Sequence, residues 1–385
     1  MTSRYHILDT LARLLPAPSR KRASASVTVV YSPNHLGDIL HTAPLLRALR
    51  RLRPGARTAW LVGPWSEALA RRYAEYADDI IPFAPDRTSA HRGQVRHRQS
   101  ALAQWRIGLA LRRLAPDLLV TTTQENPETR YLANILAPSL WLGVGDRTPP
   151  RLRPGIQARF VPYRKDRYQA LSLLDLLRPL GFDPAPADAA LFFPLTDPDR
   201  AAAARFLDAQ GIPPDHPLVL ISPGSGWPGK NWPLDRYLAV ATTLLRDNLA
   251  HVAWLGTTAE ATAFRNASAA PSLPLPGHDW MGRLDIPTLA AVMARATLWL
   301  GNDSGPMHLA AAVGCPTLSL WGPTEPAKWA PPSPPHLHIR ARPRCPGCTY
   351  WDPACTCLRP THECMDAIPV PQVLSALLPV LAPAR

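Results

Sequence analysis

The chain lacks any apolar run near the roughly 18 residues that a bilayer-spanning helix needs, although 46% of its 385 residues are hydrophobic. It therefore reads as a globular chain without a membrane span. Residues Met1 to Arg22 carry no signal-peptide pattern, because Asp9 and Arg13 break the apolar stretch and basic residues follow it. The expected location is the cytoplasm. Recognition-helix, RRM and zinc-finger patterns are absent, so nucleic acid is not an expected partner. No G-x-G-x-x-G follows the first strand, which argues against an NAD(P) dehydrogenase.

Acidic residues are scarce in one half only. Residues 1–175 hold 27 Lys or Arg against 13 Asp or Glu, whereas the other 210 residues hold 15 against 16. Much of the excess is arginine. A partner of opposite sign meeting the first half is one explanation, an anionic membrane face or an acidic acceptor for example. A plain solubility charge is the other.

What is present is an alternation of strands and helices. A β-branched strand, Ser26 to Tyr31, leads through a loop ending Gly37-Asp38 into a helix over 39–52. Strands over 58–62, 79–83, 118–122 and 140–144 alternate with helices over 65–76, 101–114 and 128–136. After a helix over 168–180 and a stretch rich in Pro, Asp and Ala, the rhythm resumes. Strands over 218–222, 252–255, 297–300 and 317–321 alternate with helices over 234–247, 259–267 and 286–296. The expected class is α/β, two Rossmann-like domains whose parallel sheets face a central cleft. The expected divisions are an extension (1–25), a first domain (26–182), a linker (183–199), a second domain (200–344), a Cys-rich segment (345–366) and a terminal helix (367–385). The short amphipathic helix over 5–15, followed by Arg20-Lys21-Arg22, either packs on the first domain or grazes a membrane.

Three places carry chemistry. Around Ala296–Ala312, the strand runs through Gly301-Asn302-Asp303-Ser304-Gly305 into a helix that begins near Pro306. Asp303 and Ser304 suit its cap, and Gly305 permits close approach to the backbone. The stretch reads either as an ordinary capped turn or as an anion site at a helix N-terminus. Gly224 to Lys230 nearly spells a P-loop, but Asn231 replaces the Ser or Thr that would hold Mg²⁺, and Trp232-Pro233 delays the helix. A glycine-rich turn with one lysine still suits a diphosphate. Asp38 at a strand's carboxyl end serves either as a general base or as a helix cap.

Five of the six cysteines fall between Cys345 and Cys364. Cys345, Cys348, Cys357 and Cys364 would suffice for a structural Zn or Fe site, and reduced cysteines without metal are the alternative.

Taken together, Leu36-Gly37-Asp38-Ile39-Leu40-His41-Thr42-Ala43-Pro44, Ser222-Pro223-Gly224-Ser225 with Lys230-Asn231-Trp232-Pro233, Asn302-Asp303-Ser304-Gly305-Pro306-Met307-His308 with Gly322-Pro323-Thr324, and the cysteine run ending Cys364-Met365 resemble the bacterial heptosyltransferases, glycosyltransferase family 9. The resemblance implies a GT-B fold and transfer of heptose from ADP-heptose, with inversion and without a catalytic metal or other cofactor. It implies Asp38 as the base on the acceptor hydroxyl, Lys230 and Ser225 at the diphosphate, and Asp303, Ser304, Gly305 and His308 around the phosphates and sugar. Glu260 is the candidate for the nucleotide ribose. The implied partners are an ADP-sugar donor and an anionic lipopolysaccharide-core acceptor, with peripheral contact at the inner membrane face. The cysteine run also resembles that of members that glycosylate proteins, so a protein acceptor, and an inactive sugar-nucleotide-binding scaffold, stand as alternatives.

Overall fold

The computed structural model describes residues 3–16, 26–33, 35–83, 100–146, 151–267, 275–332, 334–341 and 363–381. The chain divides into two compact units, residues 1–190 and 191–385. Each holds one six-stranded sheet, and every strand pair in both sheets is parallel. The class is α/β, as the alternating pattern implies.

In the first unit the strands are β1 (Val27–Ser32), β2 (Arg57–Val62), β3 (Asp79–Pro82), β4 (Leu118–Gln124), β5 (Leu140–Val144) and β6 (Gln157–Val161), ordered β3-β2-β1-β4-β5-β6. In the second unit they are β7 (Leu218–Ser222), β8 (His251–Trp254), β9 (His278–Asp279), β10 (Leu298–Asn302), β11 (Thr317–Trp321) and β12 (Leu337–Arg340). Their order, β12-β11-β10-β7-β8-β9, is the same winding read from the other edge. In both sheets the chain starts at a central strand, works to one edge, then returns to the centre and works to the other. The reversal falls between β1 and β4 in one unit and between β7 and β10 in the other. Ligand crevices form at the carboxyl ends of strands at such a reversal.

The central strands are covered on both faces, and every residue of β1, β7, β10 and β11 is buried. That is why they read as continuous apolar runs rather than alternating ones. The three strands not anticipated from the sequence, β6, β9 and β12, are all edge strands. β6 (Gln-Ala-Arg-Phe-Val) and β12 (Leu-His-Ile-Arg) each have a single buried residue, and β9 has two residues, so none produces an apolar run.

Several boundaries differ from the expected ones. The helix expected over 39–52 spans Leu36–Leu52, so Asp38 sits in its first turn rather than in the preceding loop. The segment 65–76 is two 3₁₀ turns flanking a short α-turn, Glu67–Ala70. The helix expected over 168–180 is α-helical over Gln169–Leu174 and tightens to 3₁₀ over Asp175–Leu180, where Pro179 removes a backbone donor. A capped helix, Asp197–Ala209, starts within the stretch read as linker.

The second unit's core is rich in tryptophan. Trp232, Trp254, Trp280, Trp299 and Trp321 are all fully buried. Trp232 also donates from Nε1 to the carbonyl of Ile368 at 3.0 Å, which ties the terminal helix Val370–Leu381 back onto the unit. β10 lies unusually close to its neighbours. A Cβ placed on Gly301 would meet the backbone oxygen of Ser222 at 2.6 Å and the Trp299 ring at 2.6 Å. Gly301→Ala is therefore expected to destabilise the fold by about 1–3 kcal/mol, read as a lower urea midpoint. An unchanged midpoint contradicts this close packing of β7 against β10.

Candidate functional site

The second unit's site is built by two loops at the carboxyl ends of β7 and β10. After β7, Ser222 leads to the glycine-rich stretch and a 3₁₀ turn, Pro228–Lys230. Ser225 closes this loop on itself, with its hydroxyl 2.7 Å from the carbonyl of Trp227 and 2.6 Å from Asn231 Oδ1. The single hydroxyl proton serves either acceptor. The helix does not begin at the lysine but at Leu234, after Pro233.

Asn302, the last residue of β10, joins the two loops. Its side chain is completely buried. Oδ1 accepts from the backbone N–H of Trp232 at 3.0 Å and from the hydroxyl of Tyr237 at 2.9 Å, while Nδ2 donates to the carbonyl of Pro223 at 2.7 Å. Burial holds the Tyr237 hydroxyl well above its ordinary pKa, so it remains a donor. One amide thus satisfies three groups on the other loop and its helix, a geometry in which loss of any partner leaves a buried polar atom unpaired.

This framework sets Lys230 against the next residue. Lys230 Nζ lies 3.1 Å from Asp303 Oδ2, with the two side chains 16% and 8% exposed. The lysine is folded inward, toward the start of the helix Gly305–Ala312. The expected capping of that helix is not found. Ser304 occupies the N-cap with extended backbone, yet its side chain makes no cap bond, and Asp303 is turned to Lys230. The reason is competition: a carboxylate paired with an ammonium gains more than one reaching for a neutral N–H. Ser304 Oγ is buried with no hydrogen bond among the described residues, as is Thr324 Oγ1 in the loop after the neighbouring strand β11. Two orphaned hydroxyls at the ends of adjacent strands, an uncapped positive helix end and an inward lysine are the polar groups this end of the sheet offers to an anionic, oxygen-rich ligand.

His308, one turn into the helix, is fully enclosed. Burial pushes its pKa down to about 4, with Lys230 lowering it further and Asp303 opposing. It is a neutral imidazole at physiological pH. Glu260, in the first turn of helix Thr258–Ala267, accepts from the N–H and hydroxyl of Thr257 at 2.7 and 2.9 Å. Its carboxylate also covers Gly224 so closely that a Cβ there would meet Glu260 Oε1 at 2.0 Å. The structure therefore brings Glu260 to the same strand ends as the glycine loop. Asn302 and Thr324 stand in the motif segments without an assigned role in the sequence reading. A buried amide's partners lie 65 to 79 positions away, and spacing along the chain carries no trace of them.

In the first unit, Asp38 lies at the corresponding place, after the central strand β1. It is half-buried, and its Oδ2 accepts from the backbone N–H of His35 at 3.0 Å. Thr42 ties the same turn to β1, donating to the carbonyl of Asp38 at 2.7 Å and lying 3.0 Å from Ser32 Oγ.

The proposed metal ligands are only partly in view. Cys345, Cys348 and Cys357 lie outside the described residues. Cys364 is buried in the second unit's apolar cluster, its sulfur facing the backbone of Gly322. Among the described residues no group of three or more His, Cys, Asp or Glu side chains is placed to hold a metal ion.

Two Rossmann-like sheets of identical winding define the GT-B fold class. Comparison with known proteins agrees. Residues 168–349 match glycosyltransferase family 9 (heptosyltransferase). It is 31% identical over 158 residues to lipopolysaccharide heptosyltransferase 3 of Escherichia coli K12, a match covering 41% of this chain and 45% of that protein. It is 27% identical over 315 residues to lipopolysaccharide heptosyltransferase 1 of Pseudomonas aeruginosa, covering 76% and 77%. The matches to the first curated relatives thus span just under half of their length. In fold it is similar to the E. coli ADP-heptose lipopolysaccharide heptosyltransferase II structure, at 18% identity and a TM-score of 0.65, over 92% of this chain and 98% of that one.

The enclosure of His308 has a consequence in pH. The unfolded chain takes up a proton on this residue near 6.5, whereas the folded state resists it until about 4. The unfolded state therefore binds more protons across that window, and stability falls as pH drops from 6.5 toward 4. His308→Gln should flatten this part of the stability–pH curve relative to the parent, measured by urea unfolding at a series of pH values. An identical slope in both proteins contradicts the buried, neutral imidazole.

Proposed function

We propose that the chain transfers heptose from ADP-heptose to a hydroxyl of an anionic lipopolysaccharide-core acceptor, with inversion at the sugar's anomeric carbon. The observation that carries this reading is Lys230 turned inward to Asp303 beside the uncapped start of helix Gly305–Ala312. In this reading the bond from the anomeric carbon to the diphosphate oxygen breaks with its electron pair going to the diphosphate. The ammonium of Lys230 and the backbone N–H end of the helix meet that growing charge. Ser304 and Thr324, whose buried hydroxyls have no hydrogen-bond partner among the described residues, supply hydrogen bonds to phosphate or sugar oxygens. His308, neutral, contributes a hydrogen bond without adding charge. Glu260 accepts from a ribose hydroxyl of the nucleotide.

Asp38 is assigned as the general base that takes the acceptor hydroxyl's proton as the new glycosidic bond forms. Its bond from the N–H of His35 orients the carboxylate. The names of the family relatives support the donor and acceptor classes, and the arginine-rich first half suits a phosphorylated or carboxylated acceptor. No described helix is long and apolar enough to cross a membrane, and the reading places the enzyme on the cytoplasmic side, reaching its acceptor at the inner membrane face.

The test is turnover with ADP-heptose and a lipopolysaccharide-core acceptor. Asp38→Asn should lower kcat by about a hundredfold or more while circular dichroism and donor affinity stay near those of the parent. Full turnover by a folded Asp38→Asn protein removes the base assignment. Tighter binding of UDP- or GDP-sugars than of ADP-heptose removes the donor assignment.

A further inference from the structure

Helix Ser3–Leu14, which precedes the first strand, is anchored to the first unit by one face. Tyr5, Leu8 and Ala12 are buried in the cluster that holds Tyr131, Leu132 and Ile135. Asp9 accepts from Asn134 Nδ2 at 2.5 Å. The carbonyls at its C-terminal end are met by cations, as the helix dipole favours. Arg153 donates to Ala12 and Leu15 at 2.6 Å each, and Arg112 donates to Pro16. This is a docked helix, not a fraying end.

The opposite face is apolar too. Ile7, Leu11 and Leu14 recur at i, i+4 and i+7, which places them on one stripe. They are 60%, 46% and 77% exposed. Helix Ala101–Arg113 packs beside this helix and exposes Leu102, at 56%. Of the seven large hydrophobic side chains exposed among the described residues, four belong to this one pair of helices. Nothing in the fold of the first unit requires them there, since the anchoring face is complete without them.

The charge around the stripe is of one sign. Arg106 and Arg113 are exposed on the outer face of helix Ala101–Arg113, which contains no Asp or Glu. Asp9 is the one acid in residues 1–25, and it is buried; Arg20-Lys21-Arg22 follows in sequence. A second copy of this chain would bring cation against cation at such a surface. An apolar stripe flanked by arginines without carboxylates matches an anionic lipid surface, where the leucines enter the acyl boundary and the guanidinium groups meet phosphates.

We propose that helix Ser3–Leu14, with Leu102 and the arginines of its neighbour, is an interfacial helix that docks the first unit on an anionic bilayer. This deepens the reading of a membrane-held acceptor, but its test measures lipid binding without turnover, so either can fail alone.

The experiment is flotation of the full chain with phosphatidylglycerol–phosphatidylcholine vesicles and with phosphatidylcholine vesicles alone. The parent should float with the anionic vesicles, and added salt should weaken the association. The triple variant Ile7→Ser, Leu11→Ser, Leu14→Ser should lose about tenfold or more in partitioning, with an unchanged urea midpoint and unchanged ADP affinity. Arg106→Glu with Arg113→Glu should lower binding to anionic vesicles without touching the apolar stripe. Equal partitioning of parent and triple variant, no preference for phosphatidylglycerol, or no binding by the parent overturns the proposal. So does a parent that is dimeric by sedimentation and becomes monomeric in the triple variant, because the stripe would then be a self-association face.

Discussion

The structure of the second unit depends on a lysine that reaches across from one strand's loop to a carboxylate at the end of the next. Lys230 and Asp303 are separated by 73 positions in sequence and by 3.1 Å in space. Such a pair, mostly removed from water, contributes little net stability, but loss of one partner strands the other at a cost of about 3–5 kcal/mol. Its value is positional. A flexible ammonium is held at one spot, against a helix whose own cap is left undone. Asn302 supports that placement by tying the glycine loop and the helix after it to β10 with three hydrogen bonds. A pre-set charge at a pre-set helix end needs no rearrangement when an anion arrives, which is the physical condition for strong electrostatic stabilisation.

The two units use one winding for opposite ends. At the sheet reversal of the second, the chain gathers an ammonium, backbone N–H groups and hydroxyls. At the same topological place in the first, it sets a carboxylate in the first turn of a helix. The duplication explains why the chain alternates so regularly along most of its length. The chemistry differs because only the loops at the strand ends differ, while the buried central strands β1, β7 and β10 carry nearly interchangeable apolar runs.

How much of this is legible in the sequence follows from where each residue lies. The central strands are readable, because burial on both faces leaves an unbroken apolar run. Three of the four edge strands, β6, β9 and β12, are not, since they are short or only partly buried. The glycine loop and the segment around Asp303 are visible as turns, and Lys230 stands out as the single lysine of its loop. Which partner each side chain takes is not visible. Ser304 looks like a cap and is not one; Ser225 also closes its own loop, with Trp227 and Asn231; Asp38 looks like a loop residue and lies within the helix, bonded to His35. These outcomes are decided by competition among donors and acceptors brought together only by folding. The buried amide of Asn302 is the clearest case, because all three of its partners belong to a distant loop and the helix that follows it.

Calorimetric titration of ADP into the parent and into Lys230→Met, with urea unfolding of both to show that the variant is folded, tests the central claim most directly. The account predicts that the variant binds ADP at least about tenfold more weakly, the loss of one charge-assisted contact of roughly 1.5–3 kcal/mol. A folded Lys230→Met protein that binds ADP as tightly as the parent would contradict it.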